Sequence, residues 1–158
     1  MDDRMFRNAM GKFTTGVTVI TAKWQDEIYG MTANAFMSVS MNPKLISVSI
    51  DEKANMHDKM GQVSRFAVSI LSDQQRDISM HFARQKEKDK VAFEWFHGVP
   101  VIKDAIAAIV CDVYDSYKAG DHTLFIGKVI NLETKQGNPL VFFEGKYGTD
   151  HLNKNETV

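Results

Sequence analysis

At 158 residues the chain is long enough for one domain with its own core and short for two. Hydrophobic residues make up 44% and charged residues 25%, which excludes a mainly disordered chain. The formal net charge of -1 gives no global field to draw in nucleic acid or an anionic membrane.

The opening Met1-Asp2-Asp3-Arg4 is followed by no apolar signal region, and no apolar run reaches the roughly 18 residues of a membrane span. The lone Cys111 excludes a disulfide framework and a thiolate metal cluster. A cytoplasmic protein is expected. With no internal repeat, low-complexity segment or Pro/Gly/Ser linker, residues 1–158 read as a single domain.

Met5, Phe6, Ala9, Met10 and Phe13 fall at helical spacing behind a cap at Asp3, predicting an opening helix. Gly16 to Ala22 is β-branched and strand-like. Tyr29 to Phe36 reads as a weaker strand, and Ser38 to Pro43 as a loop. Leu45 to Ile50 is a clearer strand, in which Ser47 and Ser49 alternate with Ile46, Val48 and Ile50.

Met56, Met60 and Val63 predict a short helix over 54–63, and Arg65 to Leu71 returns to strand. Ser72 and Gln75 have capping-box spacing before a helix carrying Ile78 and Phe82. The mixed-sign run Arg84 to Lys90 reads as a solvated helix end or loop. Ile106–Tyr117 and Thr123–Leu132 are predicted strands joined through Ala119-Gly120-Asp121, and a last strand covers about 140–147.

Six or seven strands without regularly alternating long helices argue against a doubly wound parallel sheet. An antiparallel barrel or a sandwich fits, and pattern alone leaves the two tied. No G-x-G-x-x-G or P-loop is present, so neither a Rossmann turn nor a nucleotide-phosphate loop is expected. His57, His81, His97, His122 and His151 lack metal spacing, so no metal is assigned. No G-x-S-x-G elbow occurs, and Cys111 sits in an apolar strand pattern typical of an inert thiol.

Residues 30–40 are the least core-like strand and loop. Thr32, Asn34, Ser38 and Ser40 offer hydroxyl and amide groups, while Gly30, Ala33 and Ala35 leave backbone open to close approach. That surface suits a flat heterocycle with a polar edge. By composition alone a polar edge strand with a serine-rich turn is the favoured reading of the segment.

Gly30 to Ser40 (GMTANAFMSVS), with Asn42-Pro43 and the strand 45–50, resembles the flavin-binding segment of the short-chain flavin reductases. Gly120-Asp121-His122, Phe143 to Tyr147 and the opening Phe6 to Thr21 resemble further elements of that family, in the same order. The nearest resemblance is to the small reductase components of two-component phenol and 4-hydroxyphenylacetate hydroxylases.

The resemblance implies a mainly β fold: a six-stranded antiparallel split barrel of the FMN-binding type, with short peripheral helices, that forms a homodimer. It also implies an NAD(P)H:flavin oxidoreductase that reduces FAD or FMN and supplies the diffusing reduced flavin to a partner oxygenase. NADH is the expected donor, with NADPH as the alternative. A flavin-binding electron carrier without nicotinamide turnover is the competing reading, and a pyridoxamine-phosphate-oxidase-like enzyme a weaker third.

Carried over by motif, Thr32, Ala33 and Asn34 would contact the flavin, with Ser38, Val39 and Ser40 beside its ring and ribityl chain. Ser49 and Ile50 of the following strand would join them. Lys53, Ala54 and Asn55 would hold the flavin phosphate beside a helix N-terminus. Met56 stands where many relatives have Ser or Thr near this point. Phe82 and Ala83 would lie by the flavin tail, although Phe82 also fits the core of its helix. His122 and Tyr147 would line the nicotinamide pocket; otherwise they are an edge histidine and a strand-capping tyrosine. No side-chain acid or base is strictly required, since hydride transfer depends on positioning.

Overall fold

The computed structural model describes residues 1–84 and 90–148. Most of the charged run 84–90 and His151 therefore lie outside the described residues. Asp2 caps helix α1 (Asp3–Met10), accepting a hydrogen bond at Oδ1 from Met5 N at 2.8 Å. The cap is one residue earlier than the predicted Asp3, because Asp3 already has helical backbone.

Strands β1 (Thr15–Gly16), β2 (Thr18–Trp24), β3 (Glu27–Ala33), β4 (Phe36–Met41) and β5 (Lys44–Asp51) follow. Helix α2 (Asn55–Met60), β6 (Arg65–Ile70) and α3 (Arg76–Phe82) come next. The chain continues through β7 (Phe93–Phe96), β8 (Val99–Ile102), β9 (Ala107–Ala119), β10 (His122–Thr134), β11 (Val141–Phe143) and β12 (Lys146–Tyr147). A seven-stranded antiparallel sheet in the order β3-β2-β6-β9-β10-β5-β4 forms the body.

The two edge strands of that sheet, β3 and β4, are consecutive in the chain and joined only by Asn34-Ala35. Three Cα–Cα steps span at most about 11 Å. The sheet must therefore curl until the end of β3 meets the start of β4, which makes it a split barrel rather than a sandwich. No ladder joins β3 to β4: at their junction, the seam, Phe36 N donates to Asn34 O (2.9 Å) within the turn, and Ser49 N donates to Ala35 O (3.1 Å), extending the β4–β5 pairing.

Alternation along β2 supplies two cores at once. Ile20 and Ala22 join Val48, Ile50, Met56, Met60, Phe66 and Phe125 in one cluster. Val19 joins Leu71, Ile78, Ile102 and Leu140 in another, on the side where α3 packs. With both faces covered, the predicted strand reads as a continuous apolar run. Met56 is 3% exposed, so the methionine noted in the sequence fills the core under α2.

The structure differs from the sequence reading in several places. The segment 38–41, expected as loop, pairs with β5 as an edge strand, because its polar side chains stay in solvent while its backbone completes a ladder. Ser72 does not cap α3; Gln75 is the cap residue, and its Oε1 accepts from Ser72 N. The last strand breaks into the hairpin β11–β12, since Glu144 and Gly145 both have positive φ (50° and 75°), as a two-residue type I′ turn requires. The hairpin β7–β8, turning at His97-Gly98, carried no recognised signal and covers the β6–β9 face through Val99 and Val101.

Cys111 is fully buried, and burial pushes its thiol up to about 12. The thiol should therefore stay protonated and unreactive to a thiol reagent at pH 8 until the protein is unfolded, when one equivalent should label. Rapid labelling of the native protein would contradict this packing.

Candidate functional site

The floor of the main cavity comes from strand register. Antiparallel partners share a face, so Ile126 with Ser47, Leu124 with Ser49 and His122 with Asp51 make one continuous row of side chains across β10 and β5. Their neighbours Val48, Ile50 and Phe125 point the other way, into the core. The polar-apolar alternation of LISVSI is thus the alternation between cavity and core.

Above that floor lies an open groove of about 1170 Å³. Thr18, Ser47, Ser49 and Leu124 line it, with Asn34, Ala35, Phe36 and Met37 along the seam. Phe6, Arg7 and Met10 of α1, the segment 13–17 and Phe142 form the opposite wall. The surface is mostly apolar, with hydroxyls and an amide concentrated at the seam, a surface that suits a flat heterocycle with one polar edge. The volume slightly exceeds the usual range for one small molecule.

The sequence-predicted residues fall into three neighbourhoods. Asn34 and Ser49 line the groove. Ala33 and Ile50 flank them but bury their side chains in the core (8% and 0% exposed), so each can meet a ligand only through backbone. Ser38, Val39 and Ser40 continue the seam along the exposed edge strand. Register shifts between Ser38 and Ser40 leave Val39 as an extra, bulged residue with no ladder partner. A bulged edge keeps backbone donors and acceptors available and turns side chains aside.

A second neighbourhood gathers at α3. Phe82 lies against Gly30 so closely that a Cβ there would meet its ring at 2.7 Å, which explains the glycine. Thr32 Oγ1 donates to Ser79 O at 2.6 Å, and the Ser79 hydroxyl bonds the Tyr147 hydroxyl at 2.8 Å. Ala83 closes this helix. Tyr147 packs on Phe142, a groove residue, and lines a smaller cavity of about 450 Å³ with Arg76, Asp73 and Asn138 on the far side of the hairpin. Thr32 and Phe82 thus reach one another through α3.

The third neighbourhood is the end of the β5–β10 ladder. Glu52 N donates to Asp121 O at 3.0 Å, bringing Lys53, Ala54 and Asn55 beside the Gly120-Asp121 turn and His122. His122 Nδ1 lies 2.8 Å from Asp121 Oδ1. The bonded His122 imidazole holds the Asp121 carboxyl below its usual range, and Lys53 adds to the effect. Asp51 is engaged locally, with Oδ1 accepting from Lys53 N at 2.8 Å. The helix that follows is only six residues long.

Sequence reasoning missed Thr18, Ser47, Leu124 and Arg7. The serine alternation of β5 could have revealed Ser47. Nothing local marks Arg7, Thr18 or Leu124, which reach the groove only through the curl of the sheet. Among the described residues no cluster of His, Cys, Asp and Glu could hold a metal ion, and no helix is long and apolar enough to cross a membrane.

A split barrel with a seam-lined groove defines a recognisable class, and the flavin reductase like domain family matches residues 10–150. The chain belongs to that family. It is 44% identical over 145 residues to an NADH-dependent flavin reductase of a Rhodococcus species, covering 89% of this chain and 82% of that one. It is 36% identical to the reductase component of 4-hydroxyphenylacetate 3-monooxygenase from Thermus thermophilus, over 90% of this chain and 93% of that one. Among solved structures, flavin reductase PheA2 in its native state superposes with a TM-score of 0.92 at 58% identity, covering 94% of this chain and 97% of the other.

Proposed function

We propose that this protein is an NADH-dependent flavin reductase that reduces FAD or FMN and releases reduced flavin to a separate flavin-dependent oxygenase. The observation that carries the reading is the single face running from the seam at Asn34-Ala35, over Ser47 and Ser49, to His122 at the end of β10. Its near end has the shape and polarity of a flavin edge. Its far end, about 7 Å beyond Leu124 along the strand, presents an imidazole. One relative's name as an NADH-dependent flavin reductase and another's as the reductase component of 4-hydroxyphenylacetate 3-monooxygenase support the donor and the destination.

With both substrates bound, the chemistry is hydride passage from nicotinamide C4 to flavin N5. The chain's task is to hold, orient and dry the pair. Ser47 and Ser49 carry hydroxyls that can bond a flavin's polar edge, Thr18 spends its own on Ala33 O at 2.6 Å, and the apolar wall from α1 excludes water. Unpaired backbone at Val39 adds hydrogen-bonding groups, which favour the negative charge that builds on a flavin accepting hydride. Lys53 and Asn55 supply a cation and an amide for the phosphate end, and His122 takes the nicotinamide, while Tyr147, bonded to Ser79 and packed on Phe142, is set apart from it in the α3 neighbourhood.

The protein acts as one domain and as a homodimer in the cytoplasm. Met5, Phe6, Met10 and Phe13 are 52–80% exposed on α1 and its exit, an apolar surface that a second copy would cover along with the groove mouth.

Purified protein mixed with NADH and free FAD or FMN should oxidise NADH only when flavin is present, followed by loss of the nicotinamide absorbance. His122→Ala should raise KM for NADH about ten-fold while leaving flavin affinity unchanged, since a stacking or hydrogen-bonding contact is worth about 1–1.5 kcal/mol. Flavin binding without NADH oxidation would instead identify an electron carrier.

A further inference from the structure

The Gly120-Asp121 turn does more than join β9 to β10. Gly120 has φ 63°, and the Asp121 carbonyl is fixed by Glu52 N, so the turn's backbone is held against β5. That leaves the Asp121 side chain to reach forward to His122 Nδ1 at 2.8 Å. Its carboxylate is 89% exposed, whereas the imidazole is 41% exposed and stands on the groove face.

An ionised carboxylate only accepts hydrogen bonds, so Nδ1 must carry the proton in this pair. In the neutral ring Nε2 is then the unprotonated nitrogen. The other charged groups nearby do not compete for that role. Asp51, the cross-strand partner of His122, is held by Lys53 N, and Glu52 pairs with Lys118 at 3.1 Å. Lys53 lies near enough to favour the Asp121 anion.

We propose that Asp121 is a positioning residue for the nicotinamide: by taking the Nδ1 proton of His122 it presents Nε2 as a hydrogen-bond acceptor for the carboxamide N–H of the reduced nicotinamide. This rests on the reading of His122 as a nicotinamide contact. It assigns that contact a direction, because the ring accepts from the amide rather than donating to it. No proton moves in the hydride step, and the bond orients the amide so that C4 faces the flavin.

The test uses the full chain carrying ¹⁵N-labelled histidine. In the wild type His122 should show the Nδ1–H tautomer, and Asp121→Ala should convert it to Nε2–H. The same variant should raise KM for NADH and lower kcat, so that kcat/KM falls roughly five-fold, the worth of one net hydrogen bond, with flavin affinity nearly unchanged. Asp121→Asn, whose amide oxygen can still accept from Nδ1, should recover part of both effects. It also serves as the informative variant should the alanine protein fail to fold.

An unchanged tautomer and unchanged KM in Asp121→Ala would overturn the proposal. So would a loss of flavin and NADH affinity together, which would mark the turn as structural only. If His122→Ala itself leaves KM for NADH unmoved, the assignment of His122 fails. If only the Asp121 variants are silent, that assignment stands and the positioning role falls.

Discussion

Phe66→Ala should destabilise the fold by about 3–5 kcal/mol, read as a fall in the urea midpoint with an unchanged m-value. Phe66 is fully buried in the core cluster beneath α2, and its ring tip lies where a Cβ on Gly127 would sit, at 2.7 Å. Gly127 stands beside a register shift in β10, and the Cβ and Sγ of Cys111 close the same space at 2.8 and 2.9 Å. Gly127→Ala is therefore an overpacking change of about 1–3 kcal/mol, since backbone-anchored atoms must yield. In the double variant the Phe66 clash is gone but the Cys111 clash stays, so the combined cost should fall short of the sum. Strict additivity would show that the two sites do not share the space described.

Ser49→Leu should weaken flavin binding about ten-fold or more, because it removes a hydroxyl and leaves a polar ligand edge unpaired in a largely apolar groove. Stability should change little. The bond that Ser49 contributes to the seam comes from its backbone N, which the substitution retains. The adjacent residue should behave in the opposite way. Ile50 is 0% exposed and faces the core, so Ile50→Val should cost about 0.5–1.5 kcal/mol of stability and leave flavin affinity intact. Flavin fluorescence titration beside urea unfolding measures both residues. Equal effects of the two substitutions on binding would mean that the groove face has been misassigned.

That pair of neighbours shows how far the sequence reaches. Val, Ile and Ser alternation in 45–50 determined that this strand has one polar and one apolar face, since successive side chains point to opposite sides. The short helix over 55–60 was legible in the spacing of Met56 and Met60, and the β9–β10 join in Gly120-Asp121. Family likeness, carried by four segments in order, indicated which chemistry the polar face serves.

What sequence periodicity left open was closure. Antiparallel strands of this length build a barrel or a sandwich with the same local preferences, and only the curl that brings the end of β3 to the start of β4 decides between them. The same curl brings Thr18, Leu124 and Arg7 to one groove from distant parts of the chain. Segment 38–41 was misread because an edge strand with a bulge keeps polar side chains in solvent, and its composition is then that of a loop. Local residue chemistry determined which atoms were available at Gly30–Ser40 and at Gly120-Asp121-His122. The tertiary structure decided that both lie along one surface, because register across β5 and β10 is a property of pairing partners that neither strand encodes alone.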